Sequence, residues 1–152
     1  MPHPMDNLQE PITLYYVDDD KDDLDIFEIA LQPLTGRVVL FEIGADLLAS
    51  LEMPHLPAIV FVDLNMSSFT GFQIIQYIRS KERLAKLPIV VLSTSIDFRT
   101  KQTCWELGAD FCIAKPRQIH ELTTALQYAI NVDWTLRERS FASFQFVYEK
   151  KS

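Results

Sequence analysis

The chain has 152 residues, 48% hydrophobic and 23% charged, a length and balance suited to one globular domain with a real core. Its formal charge is −7, and six aspartates fall within residues 18–25, so the rest of the chain is close to neutral. An acidic chain without a basic run is a poor match for direct nucleic-acid binding, and no apolar stretch approaches the roughly 20 residues of a membrane span.

The first ten residues, MPHPMDNLQE, have neither the basic start nor the apolar middle of a secretion signal, and are read as a tail. A cytoplasmic location is therefore expected, with no membrane partner. ITLYYV, 12–17, reads as a strand. Leu24, Phe27 and Leu31 follow at helical spacing, and Pro33 and Gly36 end that helix. RVVLFEI, 37–43, is a second strand and ADLLASLEM, 45–53, a short helix. AIVFV, 58–62, is apolar without alternation, as a strand covered on both faces should be.

The loop DLNMSSFTG leads to a helix over 72–80. IVVL, 89–92, is a fourth strand, and a helix over 96–107 stops at Gly108. FCIA, 111–114, is a fifth strand. A last long helix begins near Pro116 and carries Ile119, Leu122, Leu126 and Ala129 on one face. Five alternations of strand and helix predict an α/β fold, a doubly wound parallel sheet with helices on both faces. Such folds bind ligands at the C-terminal edge of the sheet.

The residues after the strands are chemically informative. Asp18, Asp19 and Asp20 follow the first strand, and Asp63 and Asn65 the third. Ser93, Thr94 and Ser95 follow the fourth, and Lys115 and Pro116 the fifth. Clustered carboxylates repel unless a cation intervenes. Mg²⁺ suits one or two carboxylates with waters and phosphate oxygens. A carboxylate can itself take a phosphoryl group, whose charge an ammonium, a hydroxyl and a metal neutralise.

VDDD, FVDLNM, VLSTS and AKP, in this order and each at a strand end, resemble the response-regulator receiver domain over roughly residues 10–131. The resemblance implies a flavodoxin-like five-stranded sheet of order 2-1-3-4-5, with the domain spanning 11–131. It implies Asp63 as phosphoacceptor, Asp19 as a direct Mg²⁺ ligand, Asp18 acting through water, and the Asn65 backbone carbonyl as a further ligand. Ser93 matches the hydroxyl that moves toward the phosphoryl group, with Thr94 and Ser95 as substitutes in a shifted register. Lys115 matches the family lysine, whose bond to the following proline is often cis. Asn65 and Ser95 match positions that control water access to the phosphoryl group.

The implied partners are a histidine kinase or phosphotransfer protein and a downstream protein. A stand-alone domain would signal through protein contacts, with the surface of helix 96–107 and the fifth strand shifting on phosphorylation. Two positions depart from the family. Ser67 stands where proline is usual, which predicts a looser loop. Cys112 stands where an aromatic switch is usual, with Phe111 facing the other side of the sheet.

Other readings weigh less. A calcium loop fits Asp18, Asp20 and Asp22, but Asp23 stands where glycine is needed and Ile29 where glutamate is. Asp20, Asp22 and Asp23 suit a solvated helix start, with Asp25 outward, which leaves only Asp18 and Asp19 to the site. A haloacid-dehalogenase-type phosphatase needs an acid two residues after Asp63, where Asn65 stands. A pseudo-receiver that only binds partners is opposed by the intact set of Asp18, Asp19, Asp63, Ser93 and Lys115.

Cys104 and Cys112 lack ligand spacing and are read as reduced and structural; His3, His55 and His120 are read as surface. Residues 132–152 form an extension rich in aromatics, too many for a disordered tail. Thr135 to Arg139 are read as either extending the last helix or starting another turn, and Phe144, Phe146 and Tyr148 as an extended segment with one apolar face. The extension either packs on its own domain or docks on a partner or second copy as a homodimer arm.

Overall fold

Each apolar run becomes a strand, and each amphipathic stretch after it a helix. The computed structural model describes residues 11–149. The strands are β1 Thr13–Val17, β2 Arg37–Phe41, β3 Ile59–Val62, β4 Ile89–Ser93 and β5 Phe111–Ala114. The helices are α1 Lys21–Leu31, α2 Gly44–Leu51, α3 Gly71–Ser80, α4 Phe98–Leu107 and α5 Ile119–Asn131. All neighbouring strands are parallel, in the order β2-β1-β3-β4-β5.

Burial follows that order. The inner strands β3 and β4 are buried at every residue, whereas the edge strand β2 alternates. One core joins the sheet to α2, α3 and α4 through Leu47, Leu51, Ile74, Ile75, Ile78 and Cys104. The other joins it to α1 and α5 through Leu24, Phe27, Ala30, Leu122, Leu126 and Ala129. The register pairs Val17 with Val62 and Val62 with Val91, so β1, β3 and β4 reach one edge nearly in step. Asp18 and Asp63 therefore leave the sheet side by side.

Caps set several helix boundaries. Asp20 accepts the backbone N–H groups of Asp22 and Asp23 and opens α1. Asp97 accepts the Thr100 N–H and starts α4 at Phe98, two residues later than the apolar pattern suggests. Gly108, at φ 103°, ends α4 in the left-handed region that glycine occupies without steric cost. α5 begins at Ile119, three residues after Pro116.

The extension folds back on its own domain. The Cys112 N–H donates to the Phe144 carbonyl and the Phe146 N–H donates to the Cys112 carbonyl, both at 2.9 Å. This parallel bridge lies along the outer edge of β5. The Tyr148 hydroxyl donates to the Ala114 carbonyl at 2.7 Å, and the Arg139 guanidinium lies 3.9 Å from the centre of the Trp105 ring.

Of the two readings of Thr135 to Arg139, a separate turn is the one observed: α5 ends at Asn131, and residues 133–137 are closed by Leu136 and Arg137 N–H groups on the Asp133 carbonyl. One local expectation changes. Phe144 is helical in backbone (φ −74°, ψ −23°), capping a short 3-10 turn at Phe141–Ser143. Alternation starts only after it, so Phe144 packs on the α4 side while Phe146 and Tyr148 pack on the α5 side. His55 and His120 are exposed; His3 and the tail over 1–10 lie outside the described residues.

Candidate functional site

β1 delivers Asp18 into a buried position where both carboxylate oxygens are engaged. Its Oδ1 accepts the Asp20 N–H at 3.0 Å. Its Oδ2 accepts the Tyr16 hydroxyl and, at 2.7 Å, the Lys115 ammonium. Tyr16 is fully buried and stacked on Phe27. Burial, then the Asp18 charge, pushes its phenol far above the ordinary range, so it stays protonated and donates. Tyr16 was not singled out from the sequence. The available signal was its place two residues before Asp18, on the same side of the strand.

β3 delivers Asp63, whose own N–H donates to the Val17 carbonyl at 3.1 Å. Its carboxylate is buried, with Oδ1 3.3 Å from the Lys115 Nζ. Burial pushes its pKa up to about 6; Lys115 opposes the shift, and Asp18 and Asp19 add to it. α3 begins directly against this backbone. A Cβ on Gly71 would lie 2.4 Å from the Asp63 carbonyl oxygen and 2.8 Å from the Leu64 Cα, so only glycine allows the approach. Gly71→Ala is expected to destabilise the fold by about 1–3 kcal/mol by overpacking and to displace Asp63. Urea unfolding of the variant checks the first effect.

Lys115 follows β5, its N–H donating to the Ser93 carbonyl at 2.8 Å. Its ammonium binds Asp18, binds Asp23 at 2.8 Å, and stands at ion-pair distance from Asp63. Burial lowers its pKa, but the hydrogen bonds to Asp18 and Asp23, with the charges of Asp18 and Asp63, together outweigh burial and raise it. Asp23 thus belongs to the charge network, contrary to its reading as a solvated helix start. α1 turns its inward face, with Leu24, Phe27 and Ala30, toward the sheet, and Asp23 lies one turn before Phe27. The Lys115–Pro116 peptide is trans, the lower-energy isomer, rather than the cis form frequent in the family.

Asp19 is exposed, and its Oδ2 accepts the Ser67 N–H at 3.0 Å. Proline in that place has no such donor. The departure expected to loosen the loop instead supplies a bond that ties it to Asp19. Asn65 is exposed in the same loop. Ser93 is buried at the end of β4, whereas Thr94 and Ser95 are exposed. Cys112 is buried on the face of β5 that packs toward Cys104, with Phe111 on the opposite face. Burial pushes the two thiols up to about 12 and about 11, which suits inert core residues.

Asp18, Asp19 and Asp63 each bring one oxygen into a group within 4.8 Å. An all-oxygen, carboxylate-rich donor set suits a hard divalent cation such as Mg²⁺. Asp63 Oδ1 and Ser93 Oγ are buried polar atoms without a hydrogen-bond partner among the described residues. Such atoms are costly unless a ligand engages them. The residues present therefore fit a cation beside a phosphoryl group.

Residues 14–127 match the response regulator receiver domain. The chain belongs to this family. The receiver is 30% identical over 115 residues to the transcriptional regulatory protein GltR of Pseudomonas aeruginosa, covering 76% of this chain and 47% of GltR. It is 27% identical to the two-component response regulator ORR13 of rice, covering 74% of this chain and 93% of that one. It spans only 13% of a further rice relative, probable histidine kinase 4.

Among solved structures, it resembles the phosphorylated cyanobacterial phytochrome response regulator RcpA, with a TM-score of 0.71, 25% identity, and coverage of 83% of this chain and 95% of that one. The chemotaxis response regulator CheY4 of Vibrio cholerae, at 24% identity and a TM-score of 0.70, shares the fold over 78% of this chain and 98% of its own. The receiver fold and order 2-1-3-4-5 inferred from the four strand-end motifs are the ones observed. The receiver is a signalling module of two-component systems.

Proposed function

We propose that this receiver accepts a phosphoryl group on Asp63 from a histidine kinase or a phosphotransfer protein. The observation that carries the reading is Asp63 itself, a buried carboxylate beside Asp18 whose Oδ1 stands 3.3 Å from the Lys115 ammonium and makes no hydrogen bond. Asp19, Asp63, the Asn65 backbone carbonyl and Asp18 through water would hold Mg²⁺. When bound, Mg²⁺ supplies positive charge for the phosphoryl oxygens. Lys115 offers its ammonium to the same oxygens, and Ser93 its free hydroxyl. Asp18 holds Lys115 in place and is itself fixed by Tyr16.

Signalling then passes through protein contacts or onward phosphotransfer. The route is the β4–α4 loop, which follows Ser93 at the end of β4, and β5, which Lys115 directly follows. GltR is a transcriptional regulator as a whole protein; our reading gives this chain a protein target and no direct contact with nucleic acid. Among the described residues no helix is long and apolar enough to cross a membrane, which supports a cytoplasmic place. We read the protein as a non-enzymatic switch, and as a monomer at rest because its extension is seated on its own β5.

Incubation with acetyl phosphate and Mg²⁺, followed by intact-mass analysis, tests the reading. One phosphoryl group on the wild type and none on Asp63→Asn is the expected result. An unmodified, folded wild type would instead make the protein a pure interaction domain.

A further inference from the structure

We propose that Asp23 is a positioning residue of the phosphoacceptor site: it acts as the counter-ion of Lys115 and shifts the site's preference from anions toward cations. The inference rests on the reading of Asp63 as phosphoacceptor. Its basis is the distribution of charge around one ammonium. Lys115 has three N–H donors. One binds Asp18 at 2.7 Å and another binds Asp23 at 2.8 Å. Asp63 Oδ1, at 3.3 Å, lies within ion-pair reach but makes no hydrogen bond. Two carboxylates thus neutralise more than the single positive charge before any phosphoryl group arrives.

Asp23 is not needed to build the helix that carries it. The cap of α1 is the Asp20 carboxylate, which accepts the backbone N–H groups of Asp22 and Asp23. The Asp23 side chain instead leaves the helix for Lys115, across 92 residues of sequence. It keeps 32% of its exposure, while the lysine side chain keeps 13%. Its charge acts at short range in a part-buried setting, where salt screens it less than a surface charge. A divalent cation at Asp18, Asp19 and Asp63 gains from that negative charge, because it hides the neighbouring ammonium. An incoming phosphoryl group loses by it, for the same reason.

The two effects have opposite signs, and this separates the role from a merely structural one. Full-length Asp23→Asn is compared with wild type by Mg²⁺ calorimetry, and by ¹⁹F NMR titration of beryllofluoride at saturating Mg²⁺. Mg²⁺ should bind about three- to tenfold more weakly, and beryllofluoride about three- to tenfold more tightly, as expected for one unit charge at short range. Asp22→Asn removes the same charge from the same helical turn at a residue with no ion pair among the described residues. It should change either constant by less than about twofold.

Asp23→Glu, which keeps the charge, should return both constants to near wild type. Shifts of one sign in Asp23→Asn, equal shifts in Asp22→Asn, or failure of the glutamate rescue would each overturn the role of Asp23 while leaving phosphoacceptance intact. A wild type that binds neither Mg²⁺ nor beryllofluoride would remove the phosphoacceptor reading, and this inference with it.

Discussion

Asp63→Asn should raise the stability of the metal-free protein at pH 7 by about 2–3 kcal/mol while removing phosphoryl uptake. The Asp63 carboxyl goes from an ordinary 3.8 to about 6 in the folded chain, chiefly through burial. Each pKa unit corresponds to about 1.4 kcal/mol. The sign follows from proton counting. Between about pH 4 and pH 6 the folded protein holds a proton on Asp63 that the unfolded chain has released. Raising the pH through this window therefore favours the unfolded chain, and wild-type stability falls. Above about pH 6 the charged carboxylate is a fixed cost of the native state. Asparagine has nearly the same shape and no charge, so its stability curve should lack the fall. Urea unfolding from pH 4 to 8 in chelator checks this, and parallel curves for the two proteins would refute it. Millimolar Mg²⁺ should recover much of the cost in wild type, because an ion that binds only the folded state stabilises it by mass action.

The motifs that mark the site were legible because each sits where an apolar run stops. ITLYYV, AIVFV, IVVL and FCIA are runs without helical period, so their ends, and with them Asp18, Asp63, Ser93 and Lys115, could be placed to within a residue. Which aspartates point inward was harder to see. Charge alone does not separate Asp22 from Asp23. The helical period does, since Asp23, Phe27, Ala30 and Leu31 share one stripe. Following that stripe back by one turn would have put Asp23 near the sheet edge, though not against a lysine 92 positions away. Tyr16 was hidden for a related reason. In an inner strand such as β1 the sequence is apolar on both faces, and a tyrosine passes for bulk until a carboxylate is found beside its hydroxyl. The Ser67 bond to Asp19 was illegible because it uses a backbone N–H that most residues possess. The path of the extension depended on a single helical residue, Phe144, whose φ and ψ reverse the face expected from alternation.

Phe144→Ala should cost about 3–5 kcal/mol, the range for a buried phenylalanine cut to alanine. Phe144 is 1% exposed although it lies outside the span that matches the family. It packs edge-on to Trp105 with ring centres 5.5 Å apart, in the core that contains Cys104 and Cys112. The small side chain at Cys112 and the large one at Phe144 are neighbours through the backbone bridge on β5. The extension thus brings an aromatic to the α4 side of β5, where the strand's own contribution to the core is the small Cys112. Val147→Ala, at a residue 84% exposed, should change stability by less than about 0.5 kcal/mol and serves as the control. Deleting residues 135–152 should be at least as damaging as Phe144→Ala. It also removes the two backbone bonds to Cys112 and the Tyr148 bond to Ala114, and bares the edge of β5 to pairing with other chains. Size exclusion should then show a full-length monomer and a truncated form that is less stable and prone to self-association. An arm that docks on a second subunit makes the opposite prediction: a full-length dimer, and a truncated monomer of undiminished stability. Stability of the two lengths, measured beside their masses, therefore decides whether the extension is part of this receiver's own core.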